Sequence, residues 1–161
     1  DLPIALHQLR LAALDDAELA RLDALSDAHV VVLEGDAILG YALTFARDDA
    51  YDGEEFLTFR SQIAQPFTYI DQVVVSQSVQ RSGVGRLLYE AIERASAIRG
   101  AFTLCCEVNT VPPNPASLAF HSRLGFGSLG SLATRDGRRV TLLHKRVASA
   151  AGGHAHAPGM D

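Results

Sequence analysis

Seven consecutive residues, Gln80-Arg81-Ser82-Gly83-Val84-Gly85-Arg86, bring together two glycines, a hydroxyl and two guanidinium groups. They follow the apolar run Val73-Val74-Val75 and open a segment with helical spacing. A helix N-terminus offers N–H groups without intrahelical partners and the positive end of the dipole. Successive N–H groups in a glycine turn form a nest for an anion. The pattern fits a phosphate cradle, in which a side chain at 83 or 85 would obstruct the anion. A glycine turn needed only for packing fits the same residues, so the loop alone leaves both readings open. A Walker A loop is excluded, because no Gly-Lys-Ser/Thr string follows the spacers. A dinucleotide fingerprint survives as the runner-up: Leu88 stands where its third glycine belongs, but Glu107 lies near the spacing of its acid. Against it, seven residues separate Val75 from Gly83.

Elements must hold these residues. The segment 15–25, DDAELARLDAL, predicts a helix with acids in its first turn. HVVVLEGDAILGYALTFA (29–46) predicts a hairpin turning at EGD. Residues 47–66 read as an acidic loop followed by a short helical turn, and FTYIDQVVV (67–75) as a strand. Alternation puts Phe67, Tyr69, Asp71, Val73 and Val75 on one face of that strand. SGVGRLLYEAIERASAIRG (82–100) is an amphipathic helix whose stripe is Val84, Leu87, Leu88, Ala91, Ile92, Ala95 and Ile98, with Gly100 at its C-terminal cap. AFTLCCEV (101–108) is the next strand, with Thr103, Cys105, Glu107 and Asn109 on one face. NPASLAFHSRLGF (114–126) is a helix with Asn114 as N-cap and Pro115 in its first turn. The runs around Asp136-Gly137 predict a hairpin with a type I′ pair. The order is that of a layered α/β fold in which the 83–99 helix joins two parallel strands. One domain over 1–147 and a disordered Ala/Gly/His-rich tail over 148–161 are expected.

Composition narrows the function. A net charge of -5 gives no electrostatic footprint for nucleic acid. No apolar run reaches the ~20 residues a membrane helix needs. The start, DLPIALHQLR, lacks the features of a signal peptide. The two cysteines, Cys105 and Cys106, are neighbours and read as small buried apolar residues, so a reducing cytoplasm is expected. The histidines show no metal-ligand spacing, so no metal is expected.

The stretch VVVSQSVQRSGVGRLLYEAI resembles the cofactor-binding motif of the GCN5-related N-acetyltransferase superfamily, and NPASLAFHSRLGF is similar to that superfamily's following helix. The likeness covers residues 67–126. It implies a mixed, mostly antiparallel sheet whose central parallel strands splay at the cofactor, with helices on both faces. It further implies that Gln80, Arg81, Ser82, Gly83, Val84, Gly85 and Arg86 hold the pyrophosphate of acetyl-coenzyme A, largely through backbone N–H groups. Val73, Val74 and Val75 would lie beside the pantetheine arm, with Asn114, Ser117 and Phe120 near it. Asn114 as a plain N-cap and Phe120 as plain core are the competing readings.

Amide formation requires a neutral amine, so a base must take a proton from an alkyl ammonium of pKa ~10. Glu107 is the first candidate and resembles an acid of the branch that acetylates ribosomal-protein N-termini. The longer NTVPPNP before the helix departs from that branch. A rim carboxylate with a hydrogen-bond role is the competing reading for Glu107; Asp71 is the second candidate, and an end-of-strand salt bridge is the reading preferred over it. His121 falls where many relatives carry a tyrosine proposed to protonate the leaving thiolate; a polar contact without proton transfer is the alternative. Asp48, Asp49, Asp52, Glu54 and Glu55 draw in a cationic amine or form a solvated loop. The expected acceptor is a small-molecule or peptide amine, and a homodimer is allowed. A non-catalytic acyl-coenzyme A sensor and a nicotinamide-dependent oxidoreductase are the competing functions.

Overall fold

Runs of Val, Ile, Leu and aromatic residues alternate with amphipathic stretches along this chain, and the computed structural model turns them into strands and helices. It describes residues 16–26, 29–79 and 83–148. The elements in order are α1 (Asp16–Asp23), β1 (Val30–Glu34), β2 (Ala37–Ala46), α2 (Glu54–Gln62), β3 (Thr68–Val75), a 3-10 turn (Gln77–Val79), α3 (Val84–Ile98), β4 (Thr103–Val111), α4 (Pro115–Arg123), β5 (Gly127–Ala133) and β6 (Arg139–Arg146). The expected tail lies almost wholly outside the described residues. Among these residues no helix is long and apolar enough to cross a membrane.

The six strands form one sheet in the order β1-β2-β3-β4-β6-β5. All pairs are antiparallel except β3 with β4. That parallel pair is joined in register only at Thr68 with Leu104 and Tyr69 with Cys105. Beyond this point β3 stays paired to β2 as far as Val75, and β4 stays paired to β6 as far as Val111. Each strand keeps its outer neighbour while losing its inner one, so a gap opens in the middle of the sheet.

Apolar side chains cover both faces. On one, Leu22 of α1 and Phe56 and Phe59 of α2 pack on Tyr41, Phe45, Tyr69, Cys105 and Leu142. On the other, Tyr89 and Ile92 of α3 pack on Ala42, Ile70, Leu104, Cys106 and Val108. The mixed sheet with helices on both faces is as expected.

Four details differ from the sequence reading. The helical turn after the acidic loop is a nine-residue helix, α2, beginning inside the acidic segment. Glu54 and Glu55 in its first turn suit the dipole, and Phe56 and Phe59 bury three residues apart. The buried stripe of α3 is Val84, Leu88, Tyr89, Ile92 and Ser96, while Leu87 and Ile98 are 50% and 82% exposed. Ser96 lies in the core because its hydroxyl donates to the Ala101 carbonyl at 2.6 Å. In the β5–β6 connection the Gly137 N–H donates to the Thr134 carbonyl at 3.1 Å, so Asp136 and Gly137 are the third and fourth residues of the turn, not the central pair of a type I′ turn. The Thr134 hydroxyl, which accepts from the Arg138 N–H at 3.1 Å, fixes this frame.

The fourth difference decides the site. Leu43 pairs with Gln72 and Thr44 with Ile70, so Asp71 is an extra residue in β3. Such a bulge reverses the side-chain alternation beyond it. Val74 therefore joins Tyr69 in the α2-side core, and Val73 packs with the α3-side core. The single face expected for Tyr69, Asp71, Val73 and Val75 does not exist.

Candidate functional site

A cavity of about 660 Å³ lies between β3, α3 and α4. Val73 and Val75 reach it because of the bulge. Val79 follows from the 3-10 turn, Gly83, Val84, Gly85, Arg86 and Tyr89 from α3 and its entry, and Ser117, Phe120, His121, Arg123 and Leu124 from α4. Its walls are largely apolar, and the first turn of α3 contributes to them. The N-cap of α3 is Gly83, whose φ of 89° is left-handed, and no side chain among the described residues caps the helix. The first N–H groups of α3 are thus left for another acceptor. A Cβ on Gly85 would stand 3.4 Å from Cζ of Phe120, so a larger residue would fill the space between α3 and α4.

Of the expected cofactor residues, Val73, Val75, Gly83, Val84, Gly85, Arg86, Ser117 and Phe120 all line this cavity. The Val74 side chain turns into the α2-side core, and Val74 is not among the lining residues. Asn114 is the N-cap of α4, its Oδ1 accepting from the Ser117 N–H at 3.3 Å, and is not among the lining residues. Gln80, Arg81 and Ser82 lie outside the described residues. The 3-10 turn between β3 and α3 holds the glycines away from the strand end, which departs from a dinucleotide-binding turn.

His121 is 7% exposed on α4, with Nε2 2.6 Å from the Tyr89 hydroxyl oxygen and Nδ1 2.7 Å from the Ser117 carbonyl. Burial lowers its pKa, and the Ser117 contact offsets that only in part.

The other candidate acids meet on the α2 side. The Tyr69 hydroxyl donates to Oε2 of Glu107 at 2.8 Å and stands 3.5 Å from Oδ1 of Asp71. The Tyr51 hydroxyl donates to the same Asp71 oxygen at 2.8 Å. Tyr69 joins the two carboxyls because it belongs to the last β3–β4 pair, where the strands part. Burial pushes the Glu107 pKa up to about 8; the Tyr69 hydrogen bond opposes this, and the charges of Glu55 and Asp71 add to it. Asp71 is raised too, chiefly by burial, against the Tyr51 hydrogen bond. Arg138 closes this side, reaching Glu55 at 2.9 Å and Asn109 at 3.1 Å.

The acidic loop is largely structural. Asp49 accepts from the Ala46 N–H at 2.7 Å, Asp48 pairs with Arg47, and Asp52 lies 3.9 Å from Arg21. Cys105 and Cys106 are buried in the two cores, and burial pushes the Cys105 thiol up to about 12. Neither has the character of a nucleophile. Among the described residues no group of His, Cys, Asp and Glu converges as a metal site.

Tyr51, Tyr69, Tyr89 and Arg138 are not among the site residues expected from the sequence. Tyr69 was within reach of it, two residues from Asp71 on an alternating strand. Tyr89 falls one position off the stripe counted for α3, and Tyr51 and Arg138 come from loops.

The family description for the acetyltransferase (GNAT) family matches residues 5–126. No curated protein matches the chain. Several solved structures share its fold. The ribosomal-protein-S18-alanine N-acetyltransferase from Escherichia coli is 19% identical, with a TM-score of 0.61 over 93% of this chain and 90% of that one. Ard1 from Thermoplasma volcanium is 17% identical, with a TM-score of 0.66 over 91% and 88%. The protein yncA from Salmonella typhimurium, solved with its cofactor acetyl-CoA, is 20% identical, with a TM-score of 0.57 over 91% and 82%. With most of its length matched by the family description, and with this sheet and its one parallel pair, the chain belongs to the acetyltransferase (GNAT) family and is an acyltransferase by class.

Proposed function

We propose that the chain carries an acetyl group from acetyl-coenzyme A directly to the primary amine of a small-molecule or peptide acceptor. One observation carries this reading. The β3–β4 gap has the α3-side cavity against one strand and Glu107 on the other, both just past the last paired residues Tyr69 and Cys105.

The cavity suits the cofactor in chemistry. Val73, Val75, Val84, Phe120 and Leu124 provide an apolar sleeve for a flexible arm. The inner edge of β3 has no ladder partner beyond Tyr69, so its backbone can pair with the arm's amides as an added strand. The N–H groups of Gly83, Val84, Gly85 and Arg86 at the mouth of α3 suit a diphosphate. By resemblance, Gln80, Arg81 and Ser82 complete that cradle. Acetyl-coenzyme A supplies the activated acyl group as a thioester.

Glu107 is the base in this reading. An ordinary carboxylate is a poor match for an ammonium of pKa ~10, whereas one raised to about 8 takes the proton more readily while still ionising near neutral pH. Tyr69 holds one oxygen of Glu107, which orients the carboxyl and leaves the other oxygen for the acceptor. Backbone N–H groups around 73–75 would steady the negative charge that develops on the acyl oxygen. Asp71 is the lesser candidate because the hydroxyls of both Tyr51 and Tyr69 converge on its Oδ1.

The test is thiol release from acetyl-coenzyme A across a panel of small amines and peptide N-termini, with cofactor binding measured by calorimetry. Release that depends on both partners is expected. Binding without release for every amine would favour a sensor, and absence of binding would end the reading.

A further inference from the structure

Tyr89 and His121 meet on the wall of the α3-side cavity, and the directions of their hydrogen bonds can be assigned. The Ser117 carbonyl, 2.7 Å from Nδ1 of His121, can only accept, so the ring carries its proton on Nδ1. The Ser117 hydroxyl, 3.3 Å away, is the more distant neighbour of the same nitrogen. A buried imidazole with a lowered pKa is neutral at pH 7 and has one N–H only. Nε2 is therefore a bare lone pair, and the 2.6 Å contact is a hydrogen bond donated by the Tyr89 hydroxyl. The rings of Phe120 and Phe126 stand edge-on to Tyr89 at 5.6 and 5.9 Å and encase the pair in apolar surface.

Both protons of the pair are thus engaged by protein acceptors. His121 has none to give a ligand there. Tyr89 holds its proton firmly, because burial raises the phenol pKa well above its usual value, far from the ~8.5 of a thiol. Tyr89 lines the cavity, and a hydroxyl whose proton is given to His121 keeps lone-pair density with which to accept from a donor there.

We propose that the Tyr89 hydroxyl accepts a hydrogen bond from an amide N–H of the cofactor's pantetheine arm, and that His121 is a positioning residue fixing the direction of that hydroxyl, not the proton donor to the leaving thiolate. This rests on the acetyl-coenzyme A reading of the cavity. It assigns a polar anchor to an otherwise apolar sleeve, on a helix position that the glycine motif does not include.

Calorimetry with acetyl-coenzyme A, without acceptor, tests it on the wild type, Tyr89→Phe, His121→Phe and His121→Gln. Loss of one neutral hydrogen bond corresponds to about fivefold weaker binding for Tyr89→Phe. His121→Phe should weaken binding similarly, because Tyr89 loses the acceptor that aims its proton. His121→Gln, whose amide oxygen can accept, should recover part of the loss. In turnover the losses belong in KM rather than kcat, and the pH profile of kcat should keep the limbs of the wild type. Wild-type affinity in Tyr89→Phe would overturn the proposal. So would a His121→Phe protein with normal affinity and a kcat profile lacking its alkaline limb. If acetyl-coenzyme A gives no heat even with the wild type, the reading of the cavity itself fails, which these variants cannot mimic.

Discussion

The two sides of the β3–β4 gap are built from opposite materials. On the α3 side the groups suited to the diphosphate are backbone N–H groups at a helix mouth, beside largely apolar walls that also hold the Tyr89–His121 pair. On the α2 side they are side chains, Tyr51, Glu55, Asp71, Tyr69, Glu107 and Arg138, gathered from loops, a helix and two strands. The backbone donors of the first side cannot change charge. The second offers carboxyls and phenols whose protons respond to one another through burial and hydrogen bonds. A fixed donor set suits an anion that must be held, and a titratable set suits an amine that must lose a proton. Changes on the two sides should therefore leave different signatures, affinity on one and pH dependence on the other.

The largest effect is expected on the titratable side. Glu107→Gln should lower kcat by about 100-fold to 1000-fold, the size of a general-base contribution, while acetyl-coenzyme A binding stays normal. Thiol release and calorimetry on the same preparation give both numbers. Unchanged kcat across the full pH range would remove Glu107 from the chemistry. Next in size is a change on the donor side. Gly85→Val places branched carbons where even a Cβ stands 3.4 Å from Phe120. Acetyl-coenzyme A affinity should fall by about tenfold or more, as crowding of a packed site implies, with the pH profile intact. A shifted profile in that variant would mean that the two sides are coupled.

How much of this was legible differs between the sides for the same reason. The α3 entry, the Asn114 cap and the cavity residues Val73, Val75, Ser117 and Phe120 could be named because local rules of helix initiation and a contiguous motif specify them. Glu107 and Asp71 could be singled out as acids on strands, but not their partners. Tyr51 reaches Asp71 across 20 residues of sequence, and Arg138 reaches Glu55 across 83. No local pattern encodes such meetings. The bulge at Asp71 was equally hidden: strict alternation put Val73 and Val75 on the wrong face, and only the register against β2 shows the extra residue. The α3 stripe failed more narrowly, because Leu87 and Tyr89 both lie near the edge of the apolar arc and tertiary packing chose the aromatic.

Smaller effects test the proton coupling by their signs. With Glu107 raised to about 8, kcat/KM should climb with pH through that value, because only the ionised carboxylate accepts a proton. The Tyr69 hydrogen bond favours the ionised form, so Tyr69→Phe should move this limb to higher pH. The charge of Asp71 disfavours it, so Asp71→Asn should move the limb to lower pH. Opposite shifts from two neighbours in one network are hard to obtain from general loosening of the fold. Parallel shifts would show that the limb belongs to another group.

The smallest expected shift is that of Tyr51→Phe, and it asks whether Tyr51 acts on Glu107 only through Asp71. The ring should stay in place, since it stacks on Phe45 at 4.1 Å with a 13° interplanar angle. Only the hydroxyl that donates to Asp71 at 2.8 Å is lost. That hydrogen bond holds the Asp71 pKa down against its burial, so its removal lets Asp71 keep a proton to higher pH. Less negative charge then faces Glu107, whose ionisation becomes easier, and the limb moves to lower pH. The displacement should have the sign of Asp71→Asn but be smaller, because Asp71 remains a carboxyl that can still carry charge. A shift to higher pH, like that of Tyr69→Phe, would mean that the Tyr51 hydroxyl stabilises the Glu107 carboxylate directly.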